Sequence, residues 1–506
     1  MRKLIGVLLL VTFTLSAQAQ LQLANMSADS LDQYIQESMD ESGLVGMAVG
    51  VIQDKELVYS KGFGEKIAGT GQAVDENTVF ALASLSKAFT ACAIGLLVDD
   101  GKLNWSDPVQ KHLPWFKMYD PYVSSQITIE DLLCHRNGYN TFDGDLLWYT
   151  TSYDSKEILN RFSKLEPKHG FRNKYGYQNT MFIAAALVIE EISGMSWEDF
   201  VMSEILKPLG MNNSYTDIQD FTEQTNLAYP HVAGEKIAYQ NFQNAIGAVG
   251  VNSSIKDLSI WAKMWINKGK HDGEEFLSRA SWNKIVSPHT ANAVSAQNWP
   301  TKHFDAAALG WFVEDMNGHY IMSHSGGLPG FLLNLIVIPE KESAIIVLTN
   351  GDKYLPFALS NVLKEQMLME EPSRDWHADY FAYEQMKAEE KKEEEERRAS
   401  LKNKRLKPYL PLDSLAGTYE DKMFGEAKVY REGSKHFIEL TPAKELFTAE
   451  LEHWYGNVYR AQFKDPFLPA AYIKFEYDTW MKPASFVIDL PNGDFHYFNL
   501  HFKRQN

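Results

Sequence analysis

Ser84 stands three residues before Lys87, at the mouth of the apolar run Ala88-Phe-Thr-Ala-Cys-Ala-Ile-Gly-Leu-Leu97. On a helix, positions i and i+3 share a face about one turn apart. The spacing holds a hydroxyl beside an amine, against an apolar body. Burial lowers the pKa of an amine toward that of a usable base. A neutral amine next to a serine activates the hydroxyl without a histidine. The spacing alone is weak, because it recurs at Ser253/Lys256 and Ser281/Lys284. Context selects Ser84: Ser253 precedes a helix and reads as its N-cap, and Ser281 lies in a polar stretch beside Trp282.

An acyl transfer needs two further groups. A phenol that relays a proton, with an amide to orient the substrate, is offered by Tyr177-Gln178-Asn179, directly before the apolar run Met181–Ile192. On spacing alone this is as readily a loop tyrosine followed by an Asn N-cap. Tyr-x-Asn also occurs at Tyr239/Asn241, in a polar loop, and at Tyr455/Asn457, in a distal β segment. An oxyanion site is offered by His324-Ser325-Gly326-Gly327, at the end of the predicted strand Tyr320–Gly327. Glycines there let a substrate approach the strand edge, and backbone N–H groups can bind an oxyanion. The plain alternative is a Gly-rich turn with a surface histidine.

The elements that must bring these segments together follow from periodicity. Ser27–Ser42 reads as a helix closed by Gly43, and 46–52 and 56–64 as a hairpin around Gln53-Asp54-Lys55. A mostly helical region runs from Ser84 to about residue 270, with helices over Thr128–Leu133, Asn179–Ile192 and Lys256–Trp265. Strands return at Tyr320–Gly327, Phe331–Ile338 and Ser343–Thr349. The fold class is therefore α/β (α+β). An antiparallel sheet is built from N- and C-terminal segments, flanked by helices, with an inserted all-helical region. Gly62-x-Gly64 reads as a strand end, not a phosphate loop.

Glu384–Lys407 is a dense charge run with helix-pair spacing at Glu393/Arg397 and Glu394/Arg398, read as a solvated helical linker without a binding role. After Leu412 the pattern is all strand, a separate small β-barrel or sandwich. Asn492-Gly493 reads there as a hairpin turn before a strand at Phe495–Phe498. Trp454, Tyr455 and Trp480 read as barrel core rather than a stacking platform. The expected division is a signal peptide over 1–19, a hydrolase domain over 20–370, a linker over 371–410 and the barrel over 411–506.

Composition excludes several classes. The 506-residue chain carries a net charge of −17, which disfavours nucleic acid and anionic lipid as main partners. Arg2 and Lys3, the apolar stretch Leu4–Leu15 and Ala17-Gln18-Ala19 form a secretory leader with its cleavage site. The expected mature protein is periplasmic or secreted, without a stable membrane anchor. The two cysteines, Cys92 and Cys134, read as buried free thiols, with a disulfide left open. No metal or other cofactor is expected: His-Glu-x-x-His, Cys/His ligand spacing and a nucleotide loop are all missing from the sequence.

Taken in order, these motifs resemble the serine β-lactamase and penicillin-binding-protein superfamily, in its class C-like branch. The resemblance spans roughly residues 28–370 and adds Ile127-Thr-Ile-Glu-Asp-Leu-Leu-Cys-His135-Arg-Asn-Gly138, Phe171, Ile192-Ser-Gly194, Pro208-Leu-Gly-Met211 and Leu309-Gly-Trp311. Asp145-Leu-Leu-Trp-Tyr149 points to one subgroup, and Leu415-Ala-Gly-Thr-Tyr419 is similar to the opening of an uncharacterised domain often appended to such hydrolases. The resemblance implies that Ser84 is acylated and that Lys87 and Tyr177 share acid–base work. It implies that Asn179 orients the acyl amide and that the backbone N–H groups of Ser84 and Gly327 form the oxyanion hole. Ser325 and Gly326 belong to the same substrate edge. His324 stands where many relatives carry Lys, so a fixed cation becomes pH-dependent. The implied substrate is a small molecule or peptide: a cell-wall D-peptide, a β-lactam or a small ester. The alternative is a silent or slow-turnover sensor of cell-wall fragments or β-lactams. Oligomeric state is left open.

Overall fold

The computed structural model describes residues 21–222, 225–295, 301–369, 371, 373–402 and 405–505. The leader expected over 1–19 lies outside the described residues. An eight-stranded antiparallel sheet forms the centre, in the order Glu56–Gly64, Gly46–Gln53, Ser343–Thr349, Phe331–Ile338, His319–Leu328, Phe312–Met316, Asp305–Ala307 and Thr290–Ala291. The N-terminal hairpin thus pairs with a strand some three hundred residues later, with Val49 opposite Val347.

Both sheet faces are covered, which explains why its central strands are apolar throughout rather than alternating. Met47, Val49 and Val51 pack with Leu31, Ile35 and Met39 of the helix Ala28–Ser42, and with Leu359 and Leu363 of Leu355–Leu368. Ala48 and Ile52, one residue out of phase, face the main core with Phe89 and Trp261. Each such side chain contributes roughly 1.5–3 kcal/mol of burial. Cys92 and Cys134 are buried free thiols.

The inserted region is helical but not wholly so. Phe80–Ala81 pairs with Asn252–Ser253, His231–Val232 with Glu235–Lys236, and Lys270–His271 with Glu274–Glu275. Two-residue pairings carry no period-2 signature, so periodicity passes over them. The other two Ser-x-x-Lys matches are structural. The helix Ile255–Ile266 is capped by Ser254, not Ser253, whose Oγ lies 2.7 Å from Ser214 Oγ. Ser281 is buried in the helix Arg279–Val286 and donates to Asp99 Oδ1 at 2.6 Å. Among the described residues no single helix is long and apolar enough to cross a membrane.

The C-terminal part is a closed eight-stranded antiparallel barrel, completed where Gly417–Asp421 meets His501–Arg504 with Tyr419 opposite Arg504. The expected hairpin at 492–498 is absent. Asn492 Oδ1 instead accepts from the N–H groups of Asp494 (2.8 Å) and Phe495 (3.0 Å), and a 3-10 turn follows at Tyr497–Asn499. Trp480 is not core: it is 79% exposed. Trp454 is half-buried and donates its indole N–H to Arg398 O at 2.8 Å. Arg398 ends the long helix Trp376–Leu401, pairs with Glu394 at 2.5 Å and reaches Asp489 at 3.1 Å. That helix is mostly exposed, yet its last turn is bonded to the barrel.

The barrel docks on the hydrolase domain through buried polar contacts. Tyr149 donates its hydroxyl to Asp465 Oδ2 at 2.8 Å, and Arg161 donates to Met423 O at 3.1 Å. The rings of Tyr149 and Phe495 stack at 3.9 Å. Apolar contacts run without a break from the core around Phe89 into the barrel core around Phe486.

Candidate active site

Ser84 does not lie in the helix it was expected to open. The helix begins at Ser86, and Ser84 is the middle of a 3-10 turn, Ala83–Leu85. Two bonds fix this turn: Leu82 N–H donates to Val251 O at 2.9 Å, and Ser86 Oγ accepts from Val251 N–H at 2.9 Å. Ala83 turns through φ +49°, a left-handed conformation that costs a residue with a side chain about 1 kcal/mol.

Lys87 is the second residue of the helix and is fully buried. Its Nζ is 3.0 Å from Ser84 Oγ and donates to Ala248 O at 3.1 Å. Two ring faces close around it, with Nζ 4.9 Å from the centroid of Tyr177 and 5.3 Å from that of Phe182. Burial pushes the amine down to about 7, although the Asp145 carboxylate pulls it up. A large fraction of Lys87 is therefore unprotonated near neutrality, in contact with the hydroxyl it would deprotonate.

Tyr177 arrives from another segment, and Gly176 makes that possible, since a Cβ there would fall 1.9 Å from Tyr139 O. The Tyr177 phenol is held well above its ordinary pKa by burial, with the Ser84 hydroxyl pulling it back. Its ring stacks on His135 at 4.4 Å. His135 Nδ1 accepts the Gln178 N–H at 3.1 Å, so the imidazole is neutral. Burial, then Lys87 and His324, hold it there. The His135 loop is fixed in turn by buried Asp131, paired to Arg136 (2.7 Å) and Arg172 (2.5 Å).

Asn179 precedes the helix Thr180–Ser193 but does not cap it. Its Nδ2–H goes to Asp145 Oδ2 at 2.6 Å. Asp145 is buried, and burial lifts its carboxyl to about 7. The Trp148 indole lies close enough to lower that value but makes no hydrogen bond to Oδ1.

The third segment comes from the sheet. His324, Ser325, Gly326 and Gly327 lie within the strand His319–Leu328, not in a surface turn, and Gly326 is opposite Leu333. A Cβ on Gly326 would sit 2.4 Å from Leu82 O, so only glycine lets this strand meet the nucleophile turn. His324 is 2% exposed and donates its Nδ1–H to Ser325 O at 2.6 Å. Burial, followed by repulsion from Lys87, pushes it down to about 3. The expected pH-dependent cation at this position is therefore a neutral imidazole at physiological pH.

Ser84, Tyr177, Asn179, His324, Ser325, Gly326 and Gly327 line one cleft of about 530 Å³, with Lys87 behind Ser84. All the site residues expected from the sequence are thus brought together. Asp145 and His135 stood in the resembled motifs without a role. Phe467, Asp494 and Phe495, which form a wall of the cleft from the barrel, carried no sequence signal. A second cavity of about 340 Å³ lies at the domain junction near Tyr153, Arg161 and Glu426, away from Ser84. Among the described residues no cluster of three or more His, Cys, Asp or Glu is arranged to hold a metal. The cleft pairs a serine hydroxyl with a depressed amine, a neutral phenol and a strand edge.

Comparison with known proteins extends this picture. Residues 31–364 match the Beta-lactamase family model, and residues 401–504 match a domain of unknown function (DUF3471). The chain is 29% identical to Unguisins hydrolase ungD' of Aspergillus campestris (strain IBT 28561), over 78% of this chain and 76% of that protein. It is 28% identical to Penicillin-binding protein 4* of Bacillus subtilis (strain 168), over 63% of this chain and 71% of that protein. Among solved structures, an octameric penicillin-binding protein homologue from Pyrococcus abyssi superposes with a TM-score of 0.60 at 21% identity, covering 94% of this chain and 100% of that one. That likeness is one of fold.

Proposed function

The chain belongs to the Beta-lactamase family, and we propose that it is an exported serine hydrolase of the class C-like type, working through an acyl-enzyme on Ser84. The observation that carries this reading is the 3.0 Å contact between Ser84 Oγ and the buried Lys87 Nζ. Lys87 takes the Ser84 proton as Oγ forms its bond to the substrate carbonyl carbon. The carbonyl oxygen becomes an anion and takes hydrogen bonds from the N–H groups of Ser84 and Gly327. Each such donor is worth about 3 kcal/mol of barrier. Tyr177, a neutral phenol at working pH, protonates the departing nitrogen or oxygen as the old bond breaks. Water then attacks the acyl carbon and gives its proton to the Tyr177 phenolate, and Lys87 returns its proton to Ser84 Oγ as the acyl bond breaks. The order of the two pKa values, Lys87 at about 7 and Tyr177 far above it, supports Lys87 as the base.

The substrate is an amide or ester: a D-peptide, a β-lactam or a small ester. A neutral His324 offers no fixed positive charge to a substrate carboxylate, which weighs toward substrates bound by other groups. Export rests on the leader over residues 1–19. Labelling with a fluorophosphonate tests the reading: the native protein is expected to label once per chain, and Ser84→Ala not at all. Undiminished labelling of the variant would sink the assignment. Steady-state turnover after the acylation burst separates a hydrolase from a slow sensor.

A further inference from the structure

We propose that the cleft binds an ammonium group of its substrate between Asp494 of the barrel and Asp145 of the hydrolase domain. The C-terminal domain then supplies a specificity-determining residue. The proposal deepens the hydrolase reading and rests on it only for the choice of ester probes.

The charged side chains on the cleft lining are acidic, while the buried Lys87 amine acts on Asp145 from behind Ser84. The lining includes Asp145, Asp352 and Asp494 but no lysine or arginine, and His324 is neutral. Asp352 accepts the Ala233 N–H at 3.2 Å and is thus partly committed. Asp494 makes no direct ion pair among the described residues; burial raises its carboxyl, and the His496 imidazole, itself bound to Asp143, lowers it. Asp494 sits close enough to Asp145 and to Tyr354 to raise the pKa of both.

A second observation is independent of charge. Among the described residues three buried acceptors in the same cleft have no hydrogen-bond partner, Asp145 Oδ1, Asn179 Oδ1 and His324 Nε2, and the Trp148 indole N–H beside Asp145 is the one unpaired buried donor on the lining. Each is an acceptor for a stated reason. Asp145 Oδ1 is a carboxylate oxygen, Asn179 turns its amide nitrogen to Asp145 and so presents its oxygen, and His324 spends its Nδ1–H on Ser325 O. Buried acceptors left unpaired are costly, and a ligand rich in donors satisfies them. An ammonium carries three donors and no acceptor. The lining also carries aromatic rings, among them Trp148 and Phe495, whose centroids lie 6.1 Å apart, and ring faces attract a cation.

The geometry of Asp494 also explains the turn that replaced the expected hairpin. Asn492 holds the N–H groups of Asp494 and Phe495, fixing both residues at the cleft edge. His496 beside them is anchored to Asp143 at 3.0 Å. The loop is therefore braced internally by Asn492 and anchored to the hydrolase domain through His496.

The test uses pairs of p-nitrophenyl esters that differ only in the cation. These are 6-aminohexanoate against heptanoate, and 3-aminopropanoate against butanoate. The native protein is expected to prefer the cationic ester of at least one pair by about tenfold in kcat/KM. Asp494→Asn is expected to bring that ratio toward one, and Asp494→Lys to reverse it. Calorimetry on Ser84→Ala gives a readout without turnover. There 6-aminohexanamide should bind about tenfold more tightly than heptanamide, and Ser84→Ala/Asp494→Asn should lose the difference. Equal handling of charged and neutral partners in both assays, or a preference that Asp494→Asn leaves unmoved, overturns the proposal. Cation-selective binding without ester turnover would retain the subsite and count against the hydrolase reading. Turnover without charge discrimination would do the reverse.

Discussion

The Asn179 side chain gives one of its two Nδ2–H groups to the Asp145 carboxylate at 2.6 Å, and its Oδ1 has no partner among the described residues. Asp145 therefore fixes the orientation of the Asn179 amide. It also pulls the Lys87 amine upward across the buried site. Asp145→Asn removes that pull. Acylation should rise with pH through about 7 in the native protein, as Lys87 loses its proton. In Asp145→Asn the midpoint should fall by about one pH unit. The pH dependence of fluorophosphonate inactivation measures both, and an unmoved midpoint would remove Asp145 from the site electrostatics.

Lys87→Met should abolish labelling and raise stability. The folded-state amine, at about 7, lies below its ordinary 10.5, so the unfolded chain binds more protons between these values. Native stability contributed by this group accordingly rises with pH from about 7 to 10.5. The variant should lack that rise. Replacing a buried ionisable group with an apolar one should add about 1–2 kcal/mol near neutrality. Thermal melts at pH 7 and pH 10 check the sign at both ends.

Gly326→Ala should damage the site more than the fold. The added Cβ meets Leu82 O at 2.4 Å, so the strand must move away from the nucleophile turn. Such overpacking costs about 1–3 kcal/mol. The expected result is a lower melting temperature with a labelling rate reduced about a hundredfold, because a misplacement near 1 Å costs that much in rate. A normal labelling rate would show that the turn and the strand edge are not coupled.

Tyr149→Phe tests the docking of the barrel. The hydroxyl that Asp465 Oδ2 accepts from at 2.8 Å is removed, while the stack on Phe495 remains. Burial raises the Asp465 carboxyl and Tyr149 lowers it. Without Tyr149 the ionised form is less well held, so the deficit should grow as pH rises from 4 toward 7. A loss of about 1–2 kcal/mol is expected at pH 7, and less at pH 4. Calorimetric melts at the two pH values provide the comparison.

Much of the fold was legible because its signals are local. The helix Ala28–Ser42 and the hairpins around Asp54 and Glu340 announce themselves through apolar period and turn residues. The three motifs around Ser84, Tyr177 and His324 were legible as candidates for the same reason. The bland readings failed on geometry. Asn179 holds the N-cap position but its side chain goes to Asp145 instead of capping the helix, and His324 is no surface residue. The 3-10 turn at Ser84 escaped notice because a left-handed alanine has no sequence mark.

The amino-acid order by itself determined the chemistry available: a serine, an amine one helical turn away, a phenol on a rigid mount and a glycine strand edge. Residue type and short-range spacing are properties of the chain. Only the tertiary structure decided the state of those groups. Lys87 is near 7 because Tyr177 and Phe182 close over it, and His324 is neutral because the sheet buries it beside Lys87. The same holds for the barrel loop that brings Asp494 to the cleft. Desolvation and electrostatic coupling depend on which distant segments pack together, and no local pattern encodes that.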